Sequence, residues 1–355
     1  MDDLNQNPKL GSADRPNSYI GRSVPRERAK KLLEGKGKYV DDILLPRMVH
    51  LSYVRSPFAH AKIKSINTEN AKKIPGVLNV FTIDDIEKVC TPWQGVLGHL
   101  GEMRSPTQYP LAKDVVRWQG EPVAVVVANK RAVAEDASEL VEIDYEDLDA
   151  QLDMETAMDK STKVIHDDLG NNLFWTRTVN QGDVIEAFKQ SHIVEEVTLD
   201  FARHTGVTLE TRAIVADWDS SEERMTIYHN GQAPHMMQSI IAKHLNISEG
   251  LVRIISCDVG GSFGIKVHVY PDEMVTVAVS KLLKRPVKFV ADRLESYSTD
   301  IHSRCHKISG KIGVDDKGKI LAFEIDDLSG IGPFSVYPRT SAIETNQVLN
   351  LSAAS

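Results

Sequence analysis

The sequence predicts an α+β fold, with short strands and helices interspersed rather than wound regularly about one parallel sheet. Three observations carry that expectation. Val123–Val127 is an unbroken, nearly all β-branched run, and a helical stretch follows it; then Val141, Ile143 and Tyr145 alternate with Glu142 and Asp144. A continuous apolar run suits a strand buried on both faces, and alternation suits a half-buried one. Second, Met237, Ile240, Ile241 and His244 fall on one stripe of Pro234–Leu245, as Met274, Val277, Ala278 and Leu282 do in Pro271–Leu283, the spacing of helix faces. Third, Asp315-Asp316-Lys317-Gly318 separates Ile308–Val314 from Ile320–Ile325 as a hairpin turn would.

The remaining elements follow in order. Residues 1–19 are polar and rich in Asn, Asp and Pro, which reads as a flexible arm. Ser23-Val24-Pro25 opens a short helix that ends near Gly35, since proline fits a first turn and glycine a C-terminal cap. Met48–Val54 and Gly76–Phe81 are apolar segments flanking a short helix around Thr68–Ile74. Asn129 is expected to cap a helix running to Leu140, with Val133, Ala137 and Leu140 on one side. The acidic stretch Glu146–Asp153 suits a boundary between a small α+β domain and a second one. The second domain begins with strands at Ile193–Leu199, Met225–Tyr228 and Val252–Ser256. An apolar segment is only starting in Asn346–Ser355, so this domain is expected to be incomplete.

Composition narrows the function classes. The chain of 355 residues is 41% hydrophobic and 26% charged, with a net charge of -8; that excludes wholesale disorder, which needs low hydrophobicity and high net charge. Basic patches interleaved with aromatics are missing, which argues against nucleic acid. So are apolar runs of bilayer length and a secretory leader, which argues against a membrane or secreted protein. Cys90, Cys257 and Cys305 are widely spaced and suggest a reducing compartment, read here as the cytoplasm.

Two segments point to a site. Cys257-Asp258-Val259-Gly260-Gly261-Ser262-Phe263-Gly264-Ile265-Lys266 runs from a predicted strand toward a helix. Glycines at such density let backbone N–H groups approach an oxyanion or metal-oxo group closely; a tight turn without a ligand satisfies the same pattern. A phosphate loop needs Gly-Lys followed by Ser or Thr, whereas Ile265 precedes Lys266 and Val267 follows it. The spacing does not fit a dinucleotide fingerprint either. In His229-Asn230-Gly231-Gln232-Ala233-Pro234-His235, Asn-Gly forms a turn after which the Gln232 amide can both donate and accept; taken in isolation, an ordinary helix entry with a solvated glutamine is the better reading. His302-Ser303-Arg304-Cys305-His306 has metal-like residues but no second cluster to complete four ligands, and reads as a surface or interface segment. His50, His60 and His204 lie far apart. The acidic residues are scattered, with no pair suited to glycoside chemistry, and read as solvated surface.

Taken together, the motifs resemble the molybdenum-binding large subunit of the xanthine dehydrogenase, aldehyde oxidase and aerobic carbon monoxide dehydrogenase family. They occur in the family's order: Gly37-Lys38-Tyr39-Val40-Asp41-Asp42-Ile43-Leu44-Leu45-Pro46, Val54-Arg55-Ser56-Pro57-Phe58-Ala59-His60-Ala61, Pro75-Gly76-Val77 and Gln119-Gly120-Glu121-Pro122-Val123-Ala124. Then come Leu209-Glu210-Thr211-Arg212, Gln232-Ala233-Pro234-His235, the glycine turn, and Arg285-Pro286-Val287-Lys288 with Arg293 and Glu295.

The resemblance implies an α/β-hammerhead domain over 20–150, then the first part of a molybdenum-cofactor-binding domain over 155–355. It implies a molybdenum–molybdopterin cofactor, in the cytosine dinucleotide form, oxidising an aldehyde or N-heteroaromatic carbon with water as oxygen source. Electrons would leave through a 2Fe–2S subunit to an FAD subunit, since no cluster-binding cysteine pattern occurs in this chain. By matched position, Gln232 corresponds to the glutamine that hydrogen-bonds a molybdenum oxo ligand. Phe263 and Gly264 correspond to residues at the metal's edge, with Gly260 and Gly261 in the same turn. No direct metal ligand is implied. Ser262 departs from the usual glycine, and Val267 stands where purine-oxidising members carry a glutamate, which points away from xanthine. The family's catalytic glutamate is expected beyond residue 355, so the chain alone is expected to lack a general base. It would then be one half of a split subunit needing a partner chain, or an inactive truncated fragment.

Overall fold

The computed structural model describes Ser23, Arg26, residues 29–96 and residues 101–338. The expected arm over residues 1–19, Val24, Pro25 and Asn346–Ser355 lie outside the described residues. The chain divides into two compact units, residues 1–38 and 39–355. In the first, α1 covers Ala29–Leu33 and Gly35 follows it at φ 68°, the left-handed cap that glycine adopts without steric cost. Ser23 itself is not helical, so the helix is shorter than the sequence suggested.

The second unit runs β1 (Val49–Arg55), β2 (Ala61–Asn67), α2 (Glu69–Lys72), β3 (Val77–Phe81), α3 (Ile83–Ile86), β4 (Val115–Val116), β5 (Pro122–Ala128), α4 (Arg131–Ser138) and β6 (Glu142–Asp147). It continues through α5 (Val184–Gln190), β7 (Ile193–Phe201), β8 (Ala213–Asp219), β9 (Arg224–His229), α6 (Pro234–Leu245), β10 (Val252–Ser256), α7 (Pro271–Leu283), β11 (Val287–Val290), α8 (Arg293–Thr299), β12 (His306–Val314) and β13 (Ile320–Ser329).

A seven-stranded mixed sheet in the order β10-β9-β8-β11-β1-β5-β3 forms the frame. β1 joins its two parts: it runs parallel to β11 through Val49↔Val287 and antiparallel to β5 through Leu51↔Val127. Strands from both sides of the acidic stretch at 146–153 therefore share one sheet. All seven residues of β5 are buried, as its apolar run requires, because β1 and β3 flank it and α4 packs upon it. Two local expectations need correction. Asn129 does not cap α4, whose N-cap is Lys130; the Asn129 N–H instead donates to Gly76 O at 2.9 Å, still serving the sheet. Leu140 is exposed, because α4 ends at Ser138 and the chain turns Val141 inward in its place.

α7 packs on β8 and β11, and Asp272 through Ser280 are buried without a break. It is thus enclosed on nearly every side rather than amphipathic, and it carries Asp272 and Glu273 inward. β12 pairs with both β13 and β7 in a separate sheet. The β12–β13 turn forms as expected: Asp315 Oδ1 accepts from Lys317 N and Lys319 N, at 2.8 and 2.9 Å. Every residue of β7 is exposed, Val197, Leu199 and Phe201 included.

Candidate cofactor site

β9 and β10 are neighbouring parallel strands, and their register ends at His229↔Ser256. Parallel neighbours deliver the loops that follow them to the same end of a sheet, the usual position of ligand sites in such architecture. The segments from Asn230 and from Cys257 therefore emerge side by side. The backbone N–H of Gln232 donates to Lys266 O at 2.9 Å, so the glutamine loop and the glycine turn are in direct contact. Asn230 is fully buried; its Oδ1 accepts from Ala213 N at 3.2 Å and its Nδ2 donates to Thr211 O at 2.8 Å. A Cβ on Gly231 would lie 2.4 Å from the His229 ring, which only glycine avoids. Gln232, by contrast, is exposed.

The glycines of the turn serve different ends. A Cβ on Gly260 would stand 2.5 Å from Glu210 Cβ, and the Gly260 N–H donates to Glu210 Oε2 at 2.8 Å. Close approach to a neighbouring side chain thus requires that glycine. Gly261 and Gly264 adopt φ 105° and 91°, the region L side chains avoid. Phe263 adopts φ 51° without that freedom and is 77% exposed; a bulky residue held there is strained and depends on its surroundings. Ser262 keeps a negative φ. Its Oγ accepts from Lys266 N at 3.2 Å and its carbonyl from Ile265 N at 2.9 Å. The Ser262 side chain thus satisfies one backbone N–H of the short 3₁₀ turn Ile265–Val267, whose N-cap is Gly264.

Behind the turn, Lys266 Nζ donates to Glu210 Oε2 at 2.9 Å, with the lysine side chain 1% exposed. Burial pulls the Lys266 pKa down and Glu210 opposes that pull. Glu210 Oε1 is enclosed and makes no hydrogen bond.

Sequence reasoning treated the carboxylates as solvated; for several of them the structure reverses that. Arg212 is wholly buried and donates through Nε to Asp300 Oδ1 at 2.7 Å. Its Nη1 and Nη2 reach Asp272 Oδ1 and Oδ2 at 2.6 and 2.9 Å. Arg55 on β1 adds an Nη2 contact to Asp272 at 3.0 Å and an Nε contact to Glu295 at 2.9 Å. Burial raises the pKa of Asp272, but Arg212 and then Arg55 outweigh it and hold the carboxyl at about 2. The signal was present: Arg55, Arg212 and Glu295 sit in motifs that carried the resemblance. What no spacing reveals is that Asp272 and Asp300 would meet them.

A cleft of about 460 Å³ opens beside this cluster, lined by Arg55, Trp118, Tyr270, Asp300, Phe334 and Tyr337 among others. None of Gln232, Gly260, Gly261, Phe263 or Gly264 lines it. Strained backbone and exposed side chains coincide at the glycine turn, apart from this hollow. Within His302–His306, only His302 and Arg304 are exposed. His306 begins β12 and is buried, with Nδ1 2.9 Å from Asp327 Oδ1, so that end belongs to the sheet and not to the surface. Among the described residues no group of His, Cys, Asp or Glu is placed to hold a metal ion, and no helix is long and apolar enough to cross a membrane.

Comparison with known proteins now defines the class. Residues 34–149 match the aldehyde oxidase and xanthine dehydrogenase a/b hammerhead domain, and residues 165–353 match the molybdopterin cofactor-binding domain. The chain belongs to the aldehyde oxidase and xanthine dehydrogenase family and carries its molybdopterin cofactor-binding domain. It is 36% identical over 338 residues to the nicotine 6-hydroxylase large subunit of Paenarthrobacter nicotinovorans, covering 95% of this chain and 41% of that one. The carbon monoxide dehydrogenase large chain of Hydrogenophaga pseudoflava is 32% identical over 326 residues, covering 87% and 40%. The crystal structure of quinoline 2-oxidoreductase from Pseudomonas putida 86 superposes with a TM-score of 0.87 at 31% identity, covering 90% of this chain and 41% of that one. The chain thus spans about two fifths of the length of these relatives.

The turn leaves backbone accessible on its outer side. A Cβ at Gly264 would meet nothing within 4 Å, so the backbone is open there to close approach. Phe263, next to it in the chain, and Gln232 are both exposed.

Proposed function

We propose that this chain forms one wall of the cofactor site in the large subunit of a molybdenum hydroxylase. The observation that carries it is the Gln232 N–H···O Lys266 bond, which joins two family motifs at the open end of parallel strands. Gln232, Gly260, Gly261, Phe263 and Gly264 would hold a molybdenum–molybdopterin in its cytosine dinucleotide form; when bound, that group supplies the two-electron redox chemistry. The Gln232 amide offers a donor and an acceptor at the rim. Gly264 admits close approach to the backbone. Phe263 presents an apolar face that excludes water from its side of the site.

The same reading divides the chain into a hammerhead part over 20–150 and a cofactor part over 155–355 that share the seven-stranded sheet. It assigns the whole assembly oxidation of an aldehyde or N-heteroaromatic carbon, with 2Fe–2S and FAD subunits as partners, in the cytoplasm. The opposite wall and the general base would come from the portion of the relatives' length that this chain does not match, so the chain alone would not turn over.

Metal and flavin analysis tests this. The isolated chain is expected to hold far less than one molybdenum per molecule, and the assembled complex to contain molybdenum, iron and flavin. Stoichiometric molybdenum with turnover in the isolated chain would overturn the incompleteness; an assembled complex without molybdenum would overturn the function.

A further inference from the structure

We infer that Lys266 is the positioning residue that fastens the glycine turn, the glutamine loop and the segment before β8 into one unit. The inference rests on the function proposed above and deepens it, by naming what holds the wall in shape. Three separate groups of this one residue make the three attachments. Its ammonium donates to Glu210 Oε2 at 2.9 Å. Its N–H donates to Ser262 Oγ at 3.2 Å. Its carbonyl accepts the Gln232 N–H at 2.9 Å.

The ammonium is the attachment that sets the others. The Lys266 side chain is 1% exposed, and an ammonium withdrawn so far from water stays charged only beside a charge-assisted acceptor. Glu210 Oε2 is that acceptor, and it simultaneously takes the Gly260 N–H at 2.8 Å. One carboxylate oxygen thus grips the turn at both ends, Gly260 and Lys266. Between those grips lie Gly261, Phe263 and Gly264, all with φ between 51° and 105°. A segment held in that region relaxes unless its ends are fixed. Asp300 and Glu273 also bear on the lysine and favour its charged form, while Glu210 Oε1, enclosed and without a hydrogen bond, is an acceptor that this grip leaves unused.

A residue that merely filled space would give a different pattern of consequences. Loss of the ammonium, with the aliphatic stem kept, should loosen Gly260 and Gln232 together, although neither is bonded to the other. It should leave the β5 core untouched.

The test is amide hydrogen exchange on the protein carrying Lys266→Met, Lys266→Arg, or Val126→Ala as a control that weakens the β5 core. Molybdenum content is measured in the assembled complex with each variant. Lys266→Met is expected to speed exchange at both the Gly260 and Gln232 amides tenfold or more at constant pH, and to lower molybdenum retention by a similar factor. Lys266→Arg should recover most of both, and Val126→Ala should lower Tm without selectively exposing either amide. Unchanged exchange at Gln232 in Lys266→Met overturns the inference whatever the complex contains. Faster exchange with full molybdenum retention overturns the positioning role. If the wild-type complex holds no molybdenum, the proposed function fails, and the exchange result alone decides whether the three segments are coupled. Should Lys266→Met not fold, Glu210→Gln, which keeps an acceptor but removes the charge, must loosen the same two amides or the inference falls.

Discussion

Glu210 and Arg212 stand one residue apart on the chain entering β8, and they end in surroundings of different kinds. Arg212 is fully buried, and its Nε, Nη1 and Nη2 all find oxygens on Asp300, Asp272 and Thr299. Glu210 gives one oxygen to two donors and leaves the other without any, beneath a turn whose Phe263 is 77% exposed. The first cluster is drawn from β1, α7 and α8 of this chain and borders the cleft of about 460 Å³. The second is closed on its inner side and open on its outer side. Two residues of one motif thus differ in how their own polar groups are met: every nitrogen of the Arg212 guanidinium has an acceptor, and one oxygen of Glu210 has no donor.

The largest expected effect breaks the framework side. Arg212→Met leaves Asp300 and part of Asp272 as buried carboxylates without a cation, which costs about 3–5 kcal/mol when one partner of a buried pair is removed. Denaturant unfolding should show that loss in the midpoint. A loss below about 1 kcal/mol would mean the cluster relaxes or admits water, and the contrast with Glu210 would collapse.

A second buried carboxylate sharpens the point about partners. Glu121 and Asp272 are 5% and 2% exposed, yet their acidities part in opposite directions. Burial raises both; Asp272 has two arginines to reverse the shift. Glu121 has chiefly the Arg117 amide, at 2.6 Å, and the Arg117 charge, and it is pushed up to about 7. The signs follow. Asp272 contributes stability that is present above the unfolded carboxyl pKa and lost as pH falls toward about 2. Glu121 contributes most below its unfolded pKa of 4.5 and progressively less as pH rises to about 7. Over that window its contribution should fall by about 3 kcal/mol. Glu121→Gln should therefore flatten the stability curve between those pH values. Curves that stay parallel would show that Glu121 is ionised throughout.

How much of this was legible beforehand differs between the two sides. α6, β10 and α7 begin and end where their sequence patterns place them, and for the two helices proline at the first turn is a local signal. The backbone bond from Gln232 to Lys266 follows from the parallel pairing of β9 with β10, which no motif spacing reveals. The pairing of β1 with β11, more than two hundred residues apart, leaves no local trace. Nor does the inward direction of Asp272 and Glu273: a helix enclosed by a sheet and by other helices loses the polar face that its sequence seems to retain. β7 forms where a strand was expected, yet all of its residues, the apolar ones included, are exposed.

Within the turn itself, the comparison predicts unequal tolerance. Gly260→Ala would place a methyl group 2.5 Å from Glu210 Cβ, and overpacking of that kind costs about 1–3 kcal/mol. It should also displace the carboxylate from the Gly260 amide, so loss of exchange protection at Gly260 should accompany the loss of stability. A variant as stable as the parent with that amide still protected would show that the approach is looser than it stands.

The smallest effect belongs to the residue that departs from the family pattern. Ser262 is the one position between Gly260 and Gly264 that a side chain occupies at negative φ, and its Oγ accepts the Lys266 N–H at 3.2 Å. Ser262→Ala keeps the backbone preference and removes only that acceptor, so the loss should be about 1 kcal/mol, the net worth of one hydrogen bond. The ammonium of Lys266 would still reach Glu210, and the Gln232 N–H would still reach the Lys266 carbonyl. Exchange at Gln232 should accordingly rise by no more than the change in global stability accounts for. If Ser262→Ala instead loosens Gln232 as much as Lys266→Met does, the serine and not the ammonium sets the shape of the turn, and the division between a closed inner side and an open outer side would have to be redrawn around it.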